Sequence, residues 1–92
     1  MYVLRIDHGV NNYAVWKAAF DGDPIGRQQS GVVRYRVLRA VDDPNHVFID
    51  LEFATEAAAD AAHAALRDLW GRVTVTRDPH GRLVELVESR DY

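Results

Sequence analysis

The residues of this chain that could carry chemistry are arginines and carboxylates at alternate positions of predicted strands. Arg34 and Arg36 are two residues apart, and so are Asp50 and Glu52, while Arg5 lies among apolar residues near the N-terminus. A two-residue spacing places side chains on the same face of a strand. Guanidinium groups on one face can stabilise a developing oxyanion, so we expect Arg34 and Arg36 to be catalytic.

The same arginines have a structural alternative. Asp50, Glu52 and Asp7 fall on the predicted strands where each could pair with a cation across the sheet. Opposite charges on adjacent strands stabilise a sheet modestly, by roughly 0.2–1 kcal/mol per pair. A face of mixed charge could serve both purposes, and both interpretations stay open.

Two of the four histidines are candidate general bases. His8 ends the first predicted strand and His46 begins the third, and strand ends border the mouth of a cavity. His63 falls on the predicted polar stripe of the second helix, and His80 falls in a predicted turn. No HxH or HxxxH pair occurs and the chain has no cysteine, so we expect no metal site and no cofactor.

Hydrophobic periodicity predicts the elements that position these residues. Asn11 and Asn12 precede the first helix, Thr55 can cap the second, and Gly71 is expected to end the second helix in the left-handed conformation. The turn-forming residues Asp78 to Gly81 predict a tight turn between two short C-terminal strands. The expected elements are strand 2–8, helix 13–21, strand 32–40, strand 46–53, helix 56–70, strand 73–76 and strand 83–88.

Side-chain complementarity predicts how the second and third strands pair. Placing Arg36 opposite Asp50 and Arg34 opposite Glu52 also places Val33 opposite Phe53, with charges on one face and apolar groups on the other. A slip of one residue would oppose charges with apolar groups throughout. We call the first of these surfaces the charged face; its expected residues are Val3, Arg5, Asp7, Val32, Arg34, Arg36, Leu38, Phe48, Asp50 and Glu52.

The order of elements predicts a ferredoxin-like βαββαβ α+β fold with an added C-terminal strand and with both helices on one face of the sheet. The 92 residues suffice for one domain, residues 1–92, which gains stability by pairing with a second copy. Apolar residues on the charged face favour a homodimer formed through it.

Composition restricts the partners. The formal net charge of −3 comes without a basic block, so we expect no nucleic acid partner. No apolar run approaches the length of a membrane span and the N-terminus lacks a signal-type segment, so we expect a cytoplasmic protein without a membrane partner.

Several strings in the chain resemble the dimeric α/β barrel superfamily, and within it the small proteins similar to antibiotic-biosynthesis monooxygenases. These strings are residues 13–21, 35–39, 42–45 and 50–53, and the resemblance spans about residues 2–70. It implies two copies whose sheets face each other across a cavity. Members include cofactor-free oxygenases of aromatic polyketides, lactone isomerases and haem-degrading enzymes.

The haem-degrading members have Asn at the end of the first strand, and Trp and His on the second helix. This chain has Asp7-His8 at the first position, alanine where the Trp is expected and only His63 on the helix, which disfavours haem degradation. The resemblance instead implies a cofactor-independent monooxygenase or cyclase-like protein acting on a small aromatic, polyketide-like molecule in the barrel cavity. The alternative is a non-catalytic dimeric module that binds a hydrophobic ligand or has a structural or uncharacterised role. The residues expected to bind substrate are Arg5, Phe48, Asp50, Leu38 and Trp70.

Overall fold

The computed structural model describes all 92 residues, and its four strands form one antiparallel sheet in the order β2-β3-β1-β4. Apolar residues of both helices join those of the sheet in one core cluster, so the helices cover a single face. This arrangement confirms the predicted ferredoxin-like α+β fold. The elements are β1 (Tyr2–Val10), α1 (Tyr13–Asp21), β2 (Val32–Arg39), β3 (His46–Phe53), α2 (Glu56–Trp70) and β4 (Thr76–Glu85).

Side-chain caps begin both helices as the sequence predicted. The Asn12 carboxamide oxygen accepts a hydrogen bond from the amide of Val15, and the Thr55 hydroxyl accepts one from the amide of Ala58. Each bond satisfies a backbone donor that the first turn of a helix leaves free. The prediction for Gly71 was wrong: its φ is −72°, so α2 ends in a right-handed conformation.

The predicted pairing of β2 with β3 is confirmed over most of its length. Arg36 lies opposite Asp50 and Arg34 opposite Glu52. The register shifts between Val32 and Arg34, so that Val32 and not Val33 pairs with Phe53. Val32 therefore packs against the core and leaves the charged face, where we expected it. A bulge of this kind adds one unpaired residue to a strand and reverses which residue points inward.

The C-terminal region forms one strand and not the expected pair of strands. β4 runs through the residues predicted to turn, and its pairing with β1 shifts between Asp7 and Gly9. Asp78 lies at this shift with φ 53°, a left-handed conformation that aspartate tolerates better than most residues. Pro79 is accommodated because β4 is an edge strand. Turn-forming residues here produce a bulge, so the chain has no added C-terminal strand.

The core lies between the helices and the sheet. Leu4, Val10, Val47 and Phe53 are its largest fully buried side chains, and Trp16 of α1 packs with them. In α2 the buried residues are Ala59, Ala62 and Leu66, whose three- and four-residue spacing forms one helical stripe. No helix of the structure is both long enough and apolar enough to cross a membrane.

Candidate functional site

The arginines of the charged face are paired with carboxylates. Arg5 donates two hydrogen bonds to Asp50, at 3.0 and 2.8 Å, and Arg34 donates two to Glu52, at 2.6 and 3.1 Å. Arg36 lies 3.9 Å from Asp50 through its closest nitrogen. Both carboxylates are buried while the three guanidinium groups stay exposed, and hydrogen bonds from Arg34 lower the pKa of Glu52. Two of the three arginines are therefore engaged in cross-strand pairs.

Apart from Val3, which is buried, the rest of the charged face is partly or fully exposed to solvent. His46 is within 2.9 Å of the Asp7 carboxylate through Nε2, and the side chains of Phe48 and Leu38 are exposed. The three arginines do come together, along with residues 84–89, around a polar cavity of about 270 Å³. Phe48, Leu38 and Asp50 do not line it, so the structure brings only part of the predicted substrate site together.

A second cavity, of about 180 Å³, lies on the opposite side of the sheet, beneath the helices. We call it the helix-side cavity. Twelve of its sixteen lining residues are hydrophobic. Its floor is formed by sheet residues including Ile6, Ile49 and Leu51, and its α2 wall by Leu66, Leu69 and Trp70.

The other wall is formed by α1 and the loop that follows it. Trp16 and Phe20 project from α1, with ring centroids 5.2 Å apart, and Ile25 of the loop completes the wall. The Arg27 guanidinium stacks 4.0 Å from the Phe20 ring centroid and donates to the Phe20 carbonyl oxygen. Arg27 therefore holds the loop against the helix, with its charge already engaged.

His8 is a buried titratable side chain on this cavity. Only 2% of the surface of His8 is exposed. Its ring packs edge to face against Trp16, with the ring centroids 5.6 Å apart. Nδ1 lies 3.1 Å from the Gly9 carbonyl oxygen, which assigns the hydrogen to Nδ1 and leaves Nε2 as an acceptor. Burial lowers the pKa of His8, so the ring is neutral at pH 7.

Thr76 supplies the cavity's other unusual polar group. Its Oγ1 is buried and has no hydrogen-bond partner, the one such side-chain atom in the structure. Thr76 pairs with Val10 across the β1 and β4 strands, which makes it the diagonal neighbour of His8. Diagonal neighbours on one face have Cα atoms roughly 7–8 Å apart, so the two residues lie near each other on the cavity wall.

The predicted site residues thus divide between the two faces of the sheet. His8 and Trp70 line the helix-side cavity. The others lie on the charged face: Arg5, Arg34, Arg36, Leu38, His46, Phe48 and Asp50.

Sequence reasoning missed Trp16, Phe20, Arg27 and Thr76 as cavity residues. The helical spacing of Trp16 and Phe20 indicates core packing, which they also provide. Nothing local in the sequence marks Thr76, because its position depends on the pairing of β4 with β1.

Comparison with solved structures places this architecture among known folds. A cofactor-independent oxygenase, SnoaB from Streptomyces nogalater, superposes with a TM-score of 0.75 at 16% identity, covering 96% of this chain and 94% of that one. The ferredoxin-like fold is shared. A dimeric ferredoxin-like protein from an uncultured marine organism gives a TM-score of 0.69 at 15% identity, with 97% of each chain covered.

An antibiotic biosynthesis monooxygenase gives a TM-score of 0.65 at 18% identity, covering 96% of this chain and all of the other. These three structures share the ferredoxin-like fold with this chain. No protein-family model and no curated protein sequence matches this chain.

Proposed function

We propose that this ferredoxin-like domain is a cofactor-independent oxygenase that acts on a small aromatic molecule in the helix-side cavity. The observation that carries the proposal is a mostly apolar cavity bordered by a buried, neutral His8. Small-molecule sites combine apolar walls with a few placed polar groups. The similarity in fold to a cofactor-independent oxygenase supports the same reaction class.

The reaction needs no added reductant, because an electron-rich aromatic substrate supplies all four electrons that reduce O₂. One oxygen atom becomes a carbonyl on a ring carbon. The other leaves as water with two hydrogens, one from that carbon and one from a ring hydroxyl. His8 accepts the hydroxyl proton through Nε2 as electrons leave the ring, and passes it on to the departing oxygen.

The cavity supports this chemistry with apolar walls that leave little room for water beside a bound substrate. Trp16, Phe20 and Trp70 provide aromatic surface for the substrate ring, while Leu66 and Leu69 fill the remaining wall. A dry site strengthens the hydrogen bond between substrate and His8 and protects reactive intermediates from side reactions.

We further propose that the protein works as a homodimer through its charged face. Leu38 and Phe48 are exposed there beside buried carboxylates, and Arg36 lacks a close partner of its own. Two-fold contacts are the commonest way for a small domain to cover such a surface. In this arrangement the helix-side cavities lie away from the contact.

The alternative function is non-catalytic binding of a hydrophobic ligand. The observation favouring it is the small number of polar groups on the cavity, namely His8, Arg27 and Thr76, of which Arg27 is already engaged. Both functions use the same cavity and differ in whether oxygen is consumed.

Oxygen uptake distinguishes the two functions. We would measure it with 1,4-dihydroxybenzene, naphthalene-1,4-diol and anthrone, each against an enzyme-free blank, and follow incorporation of isotope-labelled O₂ into the product. The oxygenase function requires uptake with at least one substrate, loss of uptake in His8→Gln, and retention in His80→Gln, where an exposed histidine changes. Ligand binding without uptake above the blank would reject the oxygenase in favour of the binding protein.

A further inference from the structure

We propose that the helix-side cavity selects a ligand with a single aromatic ring carrying a hydroxyl group, held between Thr76 and His8. This inference rests on the proposed function in taking the cavity as the ligand site, and it narrows the ligand to one-ring phenols.

Cavity size limits the number of rings. An apolar protein cavity of about 150 Å³ holds a benzene molecule. The helix-side cavity, at about 180 Å³, therefore holds one ring with small substituents, and three fused rings would extend beyond it. The polyketide-like aromatics implied by the sequence resemblance are larger than this space.

The two polar groups favour a hydroxyl among small substituents. The Thr76 hydroxyl is buried without a partner and can donate a hydrogen bond, while Nε2 of His8 can only accept one. A phenolic hydroxyl accepts from the first and donates to the second. An ether or a carbonyl would leave His8 without a donor, and a hydrocarbon would leave both groups unsatisfied.

Charge on the cavity favours a neutral ligand over an ionised one. No carboxylate lines it, and its one cation, Arg27, donates to the Phe20 carbonyl oxygen and lies 3.5 Å from Asp23. A benzoate would have to bury its charge without a free cation, which is costly in an apolar site. The neutral hydroxyl of a phenol avoids this cost.

Calorimetric titration tests the proposal with phenol, benzene, benzoate and anthrone. We expect phenol to bind about tenfold or more tightly than benzene, because the hydroxyl gains hydrogen bonds that the hydrocarbon lacks. We expect no measurable binding of benzoate or anthrone. Equal affinity for phenol and benzene, or tight binding of anthrone, would overturn the proposal.

Variants of Thr76 identify the contact. Thr76→Val removes the hydroxyl at nearly constant volume. It should weaken the binding of phenol by about fivefold or more and leave the affinity for benzene unchanged. Thr76→Ser, which keeps the hydroxyl, should retain phenol affinity and shows that the site tolerates substitution. Unchanged phenol affinity in a folded Thr76→Val protein would contradict the assignment of this residue.

The same titrations separate this inference from the proposed function. Phenol binding as described, with no oxygen uptake from any substrate, would reject the oxygenase and support the ligand class. Oxygen uptake with anthrone but not with 1,4-dihydroxybenzene would reject the ligand class and support the oxygenase.

Discussion

His63 of α2 lies directly over Gly81 of β4: a Cβ added to Gly81 would lie 2.7 Å from Nε2 of His63. The Trp70 ring packs beside this contact, 6.4 Å from the imidazole between ring centroids. The sequence pattern predicted a solvated His63, but burial lowers its pKa and the ring closes the gap between helix and sheet. The absence of a side chain at Gly81 is what lets α2 approach β4.

Gly81→Ala should therefore displace the His63 imidazole, and the loss of stability should stay at about 1 kcal/mol because Nε2 is the far end of a side chain that can rotate away. Urea unfolding measures the loss. Gly71→Ala is the matched control, because Gly71 has an ordinary right-handed conformation and an added Cβ would make only ordinary van der Waals contacts, so this change should be neutral or slightly stabilising. The cost of Gly81→Ala should shrink in a His63→Ala background, and an unchanged cost there would show that the clash lies elsewhere.

Arg34→Met should lower the free energy of unfolding near pH 7. It should also make that free energy fall less steeply as the pH is lowered. Arg34 lowers the pKa of the buried Glu52 below its ordinary value of 4.5, so the pair stabilises the fold above that pH. This contribution disappears as pH falls through the folded-state pKa. Unfolding free energies at pH 7, 5 and 3 measure both effects.

Arg72→Met provides the comparison for that experiment, since its pair with Asp68 is exposed on both sides and such pairs contribute little. If Arg34→Met and Arg72→Met changed the free energy of unfolding equally, the contribution of the buried Glu52 carboxylate to stability would not depend on Arg34.

Acid should also weaken the fold through His8 and His63. Burial lowers the pKa of both below the ordinary value of 6.5, so the unfolded chain binds protons that the folded chain does not as the pH falls below 6.5. Around His8, Asp7 raises the pKa and His46 lowers it, but burial dominates. Stability should fall between pH 7.5 and 5.5 by a smaller amount in His8→Gln than in the parent, and an identical fall would show that His8 charges freely in the folded state.

Thr76→Val should stabilise the unliganded protein. The Thr76 hydroxyl is buried without a partner, and replacing it with a methyl group removes a desolvation cost of about 1 kcal/mol or more. Thermal unfolding without ligand checks the gain. A loss of stability would mean that the hydroxyl is satisfied by bound water, which a deuterium-exchange or high-resolution crystallographic experiment would identify.

Leu38→Glu should convert the proposed homodimer to a monomer. The substitution places a buried negative charge in the contact beside Asp50, where like charges repel. Sedimentation equilibrium at micromolar concentration measures the molecular mass. Val15→Glu changes a similarly exposed residue on α1, away from the charged face, and should leave the mass unchanged. A monomeric parent protein would remove the basis of this prediction and of the dimer proposal.

The sequence alone determined the order of elements from β1 to α2, the residues that cap the helix N-termini and most of the pairing of β2 with β3. These features depend on local signals: alternation of apolar residues, capping side chains such as Asn12 and Thr55, and opposed charges such as Arg34 and Glu52. Each signal lies within a few residues or within one hairpin, so its meaning does not depend on the rest of the chain.

The tertiary structure decided where the cavity lies and which residues line it. His8 and Thr76 are neighbours only because β4 pairs with β1 past a bulge at Asp78, and the same residues in isolation indicate a turn. The sequence drew attention to the arginines because charge at alternate positions is easy to recognise. An apolar cavity consists of ordinary core residues that fail to fill a space, and only the packing of α1 and α2 on the sheet reveals that space.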